Sequence, residues 1–418
     1  MFFLYQFILS LVFLISPLII FIRILKNKED RNRFTEKFCI FKKKRGNGKL
    51  IWFHGASVGE ILSIIPIVEK YEKRKSIKKI LITSSTLSSS KVLKKFKFKK
   101  TIHQFYPIDH FFFTNKFLNH WKPSLAIFVD SEIWPSMFKK LNYSKIPLVL
   151  LNSRITKKSF KKWSIFKEFA YSVFKNISFA YPQNSETKFY LKKLGVKNIR
   201  FIGNLKFIEN PYEKYETINN NLSTQFKNNK VWIASSTHPG EEIFCAKTHI
   251  EIKKKNKNII TIIIPRHVDR ADEIISNIKK LNLNVSKHSS KNKISKDIDI
   301  YIVDTFGETK KFYKISSIVF MGKSLPGATR GGQNPLEPAR YGATILHGPN
   351  VDNFKDIYRL LKKLKISKKV TSPKKMASII NFKKNNRNYI RINKIGEIIL
   401  KKTISELNNL INNEFKKT

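Results

Sequence analysis

The sequence predicts an α/β fold built as two doubly wound halves. Three observations carry this. Short apolar runs alternate with helical patterns, the alternation restarts after a polar stretch near residue 220, and compact polar turns fall directly behind the apolar runs. At 418 residues the chain is also longer than one hydrophobic core usually holds.

Phe2 to Ile22 is almost wholly apolar, broken only by Gln6, Ser10, Ser16 and Pro17. Crossing a bilayer takes about 20 such residues, so 1–25 reads as a transmembrane anchor. Arg23, Lys26, Lys28, Arg31 and Arg33 follow, which sets the downstream chain on the cytoplasmic side. A segment lying in the membrane interface, or an apolar helix packed on the protein, competes with that reading. No basic start and small-residue cleavage site marks a signal peptide.

The first half, 30–207, has buried-strand runs at Leu50–Phe53, Ile80–Thr83, Leu125–Val129 and Leu148–Leu151. Further strands are expected at Phe179–Tyr181 and Ile199–Ile202. Ile61–Tyr71, Ser88–Phe96 and Phe111–Trp121 carry helical periodicity, with Pro66 inside the first. Residues 208–230 turn polar and irregular and read as a linker. The second half, 231–385, continues with Val231–Ala234, Ile259–Ile264, Ile300–Val303, Ile318–Met321 and Thr344–Leu346. A Lys/Asn-rich amphipathic tail, 386–418, reads as one or two helices.

Lys and Arg number 81 against 30 Asp and Glu, a formal net charge of +51. A polyanionic partner suits that excess: a phosphorylated substrate, an anionic membrane or nucleic acid. Abundant Lys, Asn, Ile and Phe also betray the codon bias of an AT-rich genome, so the charge argues only weakly for nucleic acid. Basic motifs interleaved with aromatics are lacking. Two distant cysteines, Cys39 and Cys245, make neither a disulfide framework nor a Cys-based zinc site.

In open α/β sheets ligands sit at the carboxyl ends of strands, and the informative turns lie there. HGASVGE (54–60) is a small-residue turn whose Glu60 opens a helix, as a general base or as a capping acid. DSEIWP (130–135) sets Asp130 and Glu132 two residues apart behind a strand, to steady a cationic transition state, orient a base or cap a helix. GNLKF (203–207) offers Lys206 to an anion. SSTHPGEE (235–242), PRH (265–267), FGE (306–308) and PGATRGGQNPLEP (326–338) form a series of strand-end turns in the second half. Arg266 can pair bidentately with a phosphate. Asn334 as N-cap, Pro335 at the first helical position and Glu337 in the first turn build a helix start suited to phosphate, or a capping box alone. Gly331 and Gly332 would let backbone approach a ligand. His238 with Glu241, or His267 with Asp269, lack any recognised metal-ligand spacing, and no metal site is expected. Walker A and GxGxxG sequences are absent, which argues against ATPase and dinucleotide chemistry, and no Cys/His pairing stands out for hydrolysis.

Taken in order, HGASVGE, DSEIWP, LNSRIT (151–156), GNLKF, SSTHPGEE, PRH, FGE and GGQNPLEP resemble the 3-deoxy-D-manno-octulosonic acid (Kdo) transferases over nearly the whole chain, including RNRFTEKF (31–38). The resemblance implies a GT-B glycosyltransferase: two Rossmann-like domains facing across a cleft, with an N-terminal membrane anchor helix. It implies inverting transfer of Kdo from CMP-Kdo to a lipid A precursor at the cytoplasmic face of the inner membrane, with neither metal nor cofactor, anionic lipids as neighbours and no nucleic acid. Glu60 matches the family's general base. Asp130, where the family usually has Glu, and Lys206 are implied to stabilise the transition state. Pro265, Arg266, Phe306, Gly307, Glu308, Asn334, Pro335, Leu336 and Glu337 are implied to bind the donor. A GT-B transferase with another nucleotide sugar is the alternative. A basic lipid- or nucleic-acid-binding protein with a degenerate site is a further one.

Overall fold

The computed structural model of the protein describes residues 1–209, 218, 220–290, 294–295, 297–327, 331–383 and 386–416. Parts of the expected linker (210–217 and 219) and Ala328–Arg330 of the glycine-rich motif lie outside the described residues. The chain divides into two compact units, Met1–Pro211 with Gly396–Thr418, and Tyr212–Ile395.

In the first unit six parallel strands form one sheet: β1 (Leu50–His54), β2 (Lys79–Ser84), β3 (Thr101–Phe105), β4 (Leu125–Val129), β5 (Leu148–Ser153) and β6 (Phe179–Pro182). Their order is β3-β2-β1-β4-β5-β6. Strands run outward in both directions from β1, so the topological switch point lies between β1 and β4, paired from Ile51↔Leu125 to His54↔Phe128. β1, β4 and β5 are fully buried, as strands covered by helices on both faces must be. Trp52, Phe117, Trp121, Phe128 and Phe138 fill one side of this core, each worth roughly 1.5–3 kcal/mol in burial.

The expected strand Ile199–Ile202 reduces to a single bridge, Ala180↔Ile199. It lies beyond the edge strand β6, its ladder limited to the backbone bonds at Ala180, and Phe201 is exposed.

The second unit has seven parallel strands: β7 (Lys230–Thr237), β8 (Ile259–Pro265), β9 (Val285–Lys287), β10 (Ile300–Ile302), β11 (Ile318–Met321), β12 (Thr344–His347) and β13 (Ser367–Lys369). They are ordered β13-β12-β11-β7-β8-β10-β9, with the switch point between β11 and β7.

Phe2–Leu25 is one helix, long and apolar enough by length and composition to cross a membrane. The chain ends in a continuous helix, Asn386–Lys416, whose part from Gly396 onward belongs to the first unit. There Arg74 Nη2 donates to Asn412 Oδ1 at 2.6 Å, and Arg200 meets Glu406 at 2.8 Å. A Cβ on Gly396 would lie 2.4 Å from the Phe207 carbonyl oxygen, so only glycine lets this helix pass the GNLKF turn so closely.

Candidate functional site

In the first unit the site residues follow the two strands that flank the switch point. Behind β1, Ser57 caps the helix Val58–Glu72 in a reciprocal capping box. Glu60 Oε2 accepts from the Ala56 amide at 2.7 Å, and Ser57 Oγ donates to Glu60 Oε1 at 2.8 Å. The capping geometry expected of such an acid is therefore present. Its carboxyl is nonetheless pushed above the usual range, first by burial, with the charges of Glu132 and Asp130 adding to it and the bonds from Ser57 and Ala56 opposing.

Behind β4, Asp130 is buried in the left-handed region, φ 62°. Asp130 donates its amide to Leu151 O at 3.1 Å and accepts at its carbonyl from Arg154, locking the bend to the LNSRIT turn. Sparse backbone conformations of this kind persist only where surroundings enforce them. Glu132 stands two residues on. Its Oε2 accepts from Trp134 Nε1 at 2.9 Å and lies 3.2 Å from Nε2 of the buried His54. His54 Nδ1 in turn meets Thr83 Oγ1 at 2.9 Å.

Lys206 occupies a short 3-10 turn, Leu205–Phe207, capped by Asn204. Asn152 Oδ1 accepts from the Leu205 amide at 2.9 Å, tying this turn to the end of β5. Burial depresses the Lys206 ammonium, while the charges of Asp130 and Glu60 hold it up and that of Arg154 lowers it. Glu60, Asp130 and Lys206 thus share one electrostatic neighbourhood in this unit.

In the second unit the turns meet around Glu241. Its Oε1 accepts from the amides of Ser324 and Leu325 at 2.8 and 3.1 Å, and its Oε2 from those of Lys323 and His238 at 2.7 and 3.0 Å. This buried carboxylate staples the turn behind β7 to the turn behind β11, the strands of the second switch point. Both its oxygens are occupied, which removes it as a metal ligand with His238. Among the described residues no group of three or more His, Cys, Asp or Glu is placed to hold a metal ion.

Pro265 closes β8, and Arg266 beyond it is exposed, its amide bonded to Thr237 O at 3.0 Å. Burial, then the charges of Lys323, His267, Arg266 and Arg270, push the His238 imidazole down. A cluster that disfavours its own protonation suits an anion. Phe306 is exposed, Gly307 has φ 85°, and Glu308 pairs with Lys311 at 2.9 Å.

The NPLE segment departs from expectation. Its helix, Leu336–Arg340, is only five residues and starts after Pro335, while Asn334 Oδ1 caps the Leu336 amide at 3.1 Å. So short an element builds little dipole, and the expected phosphate-suited helix end reduces to a capped turn. Gly331 and Gly332 serve the protein's own packing: a Cβ would meet Lys323 O at 2.3 Å or Val351 Cα at 2.9 Å.

Sequence reasoning named Glu132 beside Asp130 and weighed Glu241 with His238, but it foresaw neither the bond to His54 nor the four amides around Glu241, and it did not single out Asn152. The signal for Glu132 was its spacing from Asp130. For the other two it was their place in strand-end turns.

Comparison with known proteins decides the family. Residues 32–209 match the family model described as 3-Deoxy-D-manno-octulosonic-acid transferase (kdotransferase). A 3-deoxy-D-manno-octulosonic acid transferase of Rickettsia bellii is 35% identical over 381 residues, 91% of this chain and 90% of that one. The chain belongs to the Kdo transferase family. A Haemophilus influenzae Kdo transferase is 28% identical over 363 residues, covering 84% of each chain. Among solved structures, the UDP-GlcNAc 2-epimerase of Neisseria meningitidis bound to UDP-GlcNAc superposes with a TM-score of 0.54 at 15% identity, covering 88% of this chain and all of that one. That likeness speaks to the fold, which is of the GT-B class: two Rossmann-like units with an apolar N-terminal helix. As a Kdo transferase, the protein is a glycosyltransferase of lipopolysaccharide synthesis.

Proposed function

We propose that the protein transfers Kdo from CMP-Kdo to a lipid A precursor, with inversion, at the cytoplasmic face of the inner membrane. The observation that carries this reading is the grouping of Glu60, Asp130 and Lys206 around the switch point of the first sheet.

Glu60 is the general base. An acceptor sugar hydroxyl attacks the anomeric carbon of Kdo, the bond from that carbon to the CMP phosphate oxygen breaks, and Glu60 takes the hydroxyl proton. A carboxyl raised by burial is a stronger base than a solvated one and works nearer neutral pH. The capping bonds from Ala56 and Ser57 hold the carboxylate still before attack. Positive charge develops on the sugar ring as the bond breaks, and Asp130 opposes it. Lys206 balances the negative charge of the leaving cytidylate.

The donor is assigned to the second unit, at Pro265, Arg266, Phe306–Glu308 and Asn334–Glu337. Arg266 is the group for the phosphate there, and the cationic surroundings of His238 favour the same charge. The shorter acid at Asp130 keeps the family's charge and withdraws it by about one methylene. Its left-handed backbone gives that carboxylate a fixed point of departure.

Glu60→Gln is the test. Purified protein with CMP-Kdo and a tetra-acylated lipid A precursor, followed by mass spectrometry of the lipid, should lose about 10²–10⁴-fold in rate. Donor affinity should be retained. Full activity in this variant would remove the base assignment.

A further inference from the structure

The N-terminal helix has two unlike faces. On one, Tyr5 Oη donates to Asp109 Oδ2 at 2.9 Å and Gln6 Nε2 to Ser136 Oγ at 2.7 Å. Gln6 Oε1 accepts from the Phe111 amide at 3.1 Å, and Ser10 Oγ lies 3.2 Å from His110 Nε2. The Phe13 ring packs edge-on against Phe113 at 5.2 Å, and Ser16 and Ile20 are buried. The contacts run on to Arg23, which meets Glu29 at 3.0 Å. The helix is therefore docked on the first unit along most of its length, about 36 Å for its 24 residues.

The opposite face is a continuous apolar stripe. Phe3, Phe7, Leu11, Leu14, Leu18 and Phe21 recur at helical spacing, from 47% to 89% exposed. Lys26, Lys28 and Arg31, just beyond the helix, are also exposed.

These two faces are incompatible with a helix that both spans a bilayer and stays docked. A hydrocarbon core about 30 Å thick would cover nearly the whole helix and everything bound along it. The buried carboxylate of Asp109 would enter lipid with it, as would the exposed Lys139, whose Nζ sits 3.9 Å from the Phe2 ring. Undocking instead would give up the Tyr5–Asp109 and Gln6–Phe111 bonds and bare the apolar contacts that Phe13 and Ile20 now make.

We infer that this helix lies in the plane of the membrane surface, its Phe3–Phe21 stripe in the acyl boundary of one leaflet and its Tyr5–Ile20 face on the first unit. The partner is an anionic lipid surface, which the exposed basic residues at its end meet as the stripe inserts. This rests on the membrane attachment proposed above and not on the transfer reaction. It sets the unit that carries Glu60 directly on the leaflet, with no stalk between.

The test adds full-length protein from outside to preformed vesicles of phosphatidylethanolamine and phosphatidylglycerol. Single cysteines, Phe3→Cys, Leu11→Cys and Phe21→Cys, carry an environment-sensitive nitrobenzoxadiazole dye. The native Cys39 and Cys245 are buried and give little background. Membrane-impermeant dithionite should bleach all three positions alike, and lipid-borne quenchers should place them at one shallow depth, about 5–10 Å below the headgroups. One end protected from dithionite with position 11 at the bilayer centre would overturn the inference. Failure of the vesicles to float any protein would overturn membrane attachment itself. Hydrogen exchange on the unlabelled, vesicle-bound protein is the second measurement. The Phe111 amide should stay protected, and its exchange at the rate of an open amide would show the helix undocked and sink the proposal.

Discussion

Glu132 Oε2 and His54 Nε2 lie 3.2 Å apart, joining the ends of β4 and β1 across the switch point of the first sheet. His54 is fully buried, and burial pushes its imidazole down even though Glu132 pulls it up. A ring carrying its proton on Nε2 donates to Glu132, and the charge of Glu132 is among the causes that raise Glu60. Removing that charge should lower the Glu60 pKa. In Glu132→Gln the acidic limb of the pH–rate profile should move to lower pH, with turnover at its plateau reduced as the weaker base takes over. An unmoved limb would show that Glu132 holds the loop and does not tune the base.

Arg266→Ala should weaken CMP binding. A charge-assisted bond to phosphate is worth about 1.5–3 kcal/mol, or roughly 10–100-fold in Kd. Calorimetry with CMP reads this directly, and an unchanged affinity would take Arg266 out of the donor site.

Glu241→Gln tests the staple of the second unit. An amide oxygen cannot satisfy all four backbone N–H groups that now point at the carboxylate, and its NH2 opposes at least one of them. An orphaned buried donor costs about 1–3 kcal/mol. Thermal unfolding should shift down accordingly, and CMP binding should weaken because the turns behind β7 and β11 separate.

Gly396→Ala places a methyl 2.4 Å from Phe207 O, against backbone that cannot rotate away. Overpacking of this kind costs about 1–3 kcal/mol. The displaced element is the turn that presents Lys206, so transfer should fall while CMP affinity, which is proposed for the second unit, stays as it was.

The strands legible from sequence were the buried ones. β1, β4, β5, β8 and β11 each present an unbroken apolar run because helices cover both their faces. The strands not foreseen were β3, β9 and β13, with sequences TIHQF, VSK and SKK. All three are sheet edges, half-covered or exposed, where hydrogen bonding to one neighbour suffices and composition carries no signal. The candidate residues were picked out by place, in turns behind buried strands, as with Glu60, Asp130 and Arg266. What a side chain reaches was not legible. Nothing in the string of letters says that Asn152 caps Leu205, or that the glycines at 331 and 332 make room for Lys323 and Val351.

The last helix gives the protein an unusual order of assembly. Residues 396–418 complete the first unit, yet they are synthesised after the whole of the second. The second unit, Tyr212–Ile395, has all of its chain before these residues emerge, while the first unit, with Glu60 and Lys206, waits for them to buttress Phe207. A released chain cut off at residue 395 should therefore keep the second unit whole and leave the Lys206 turn slack.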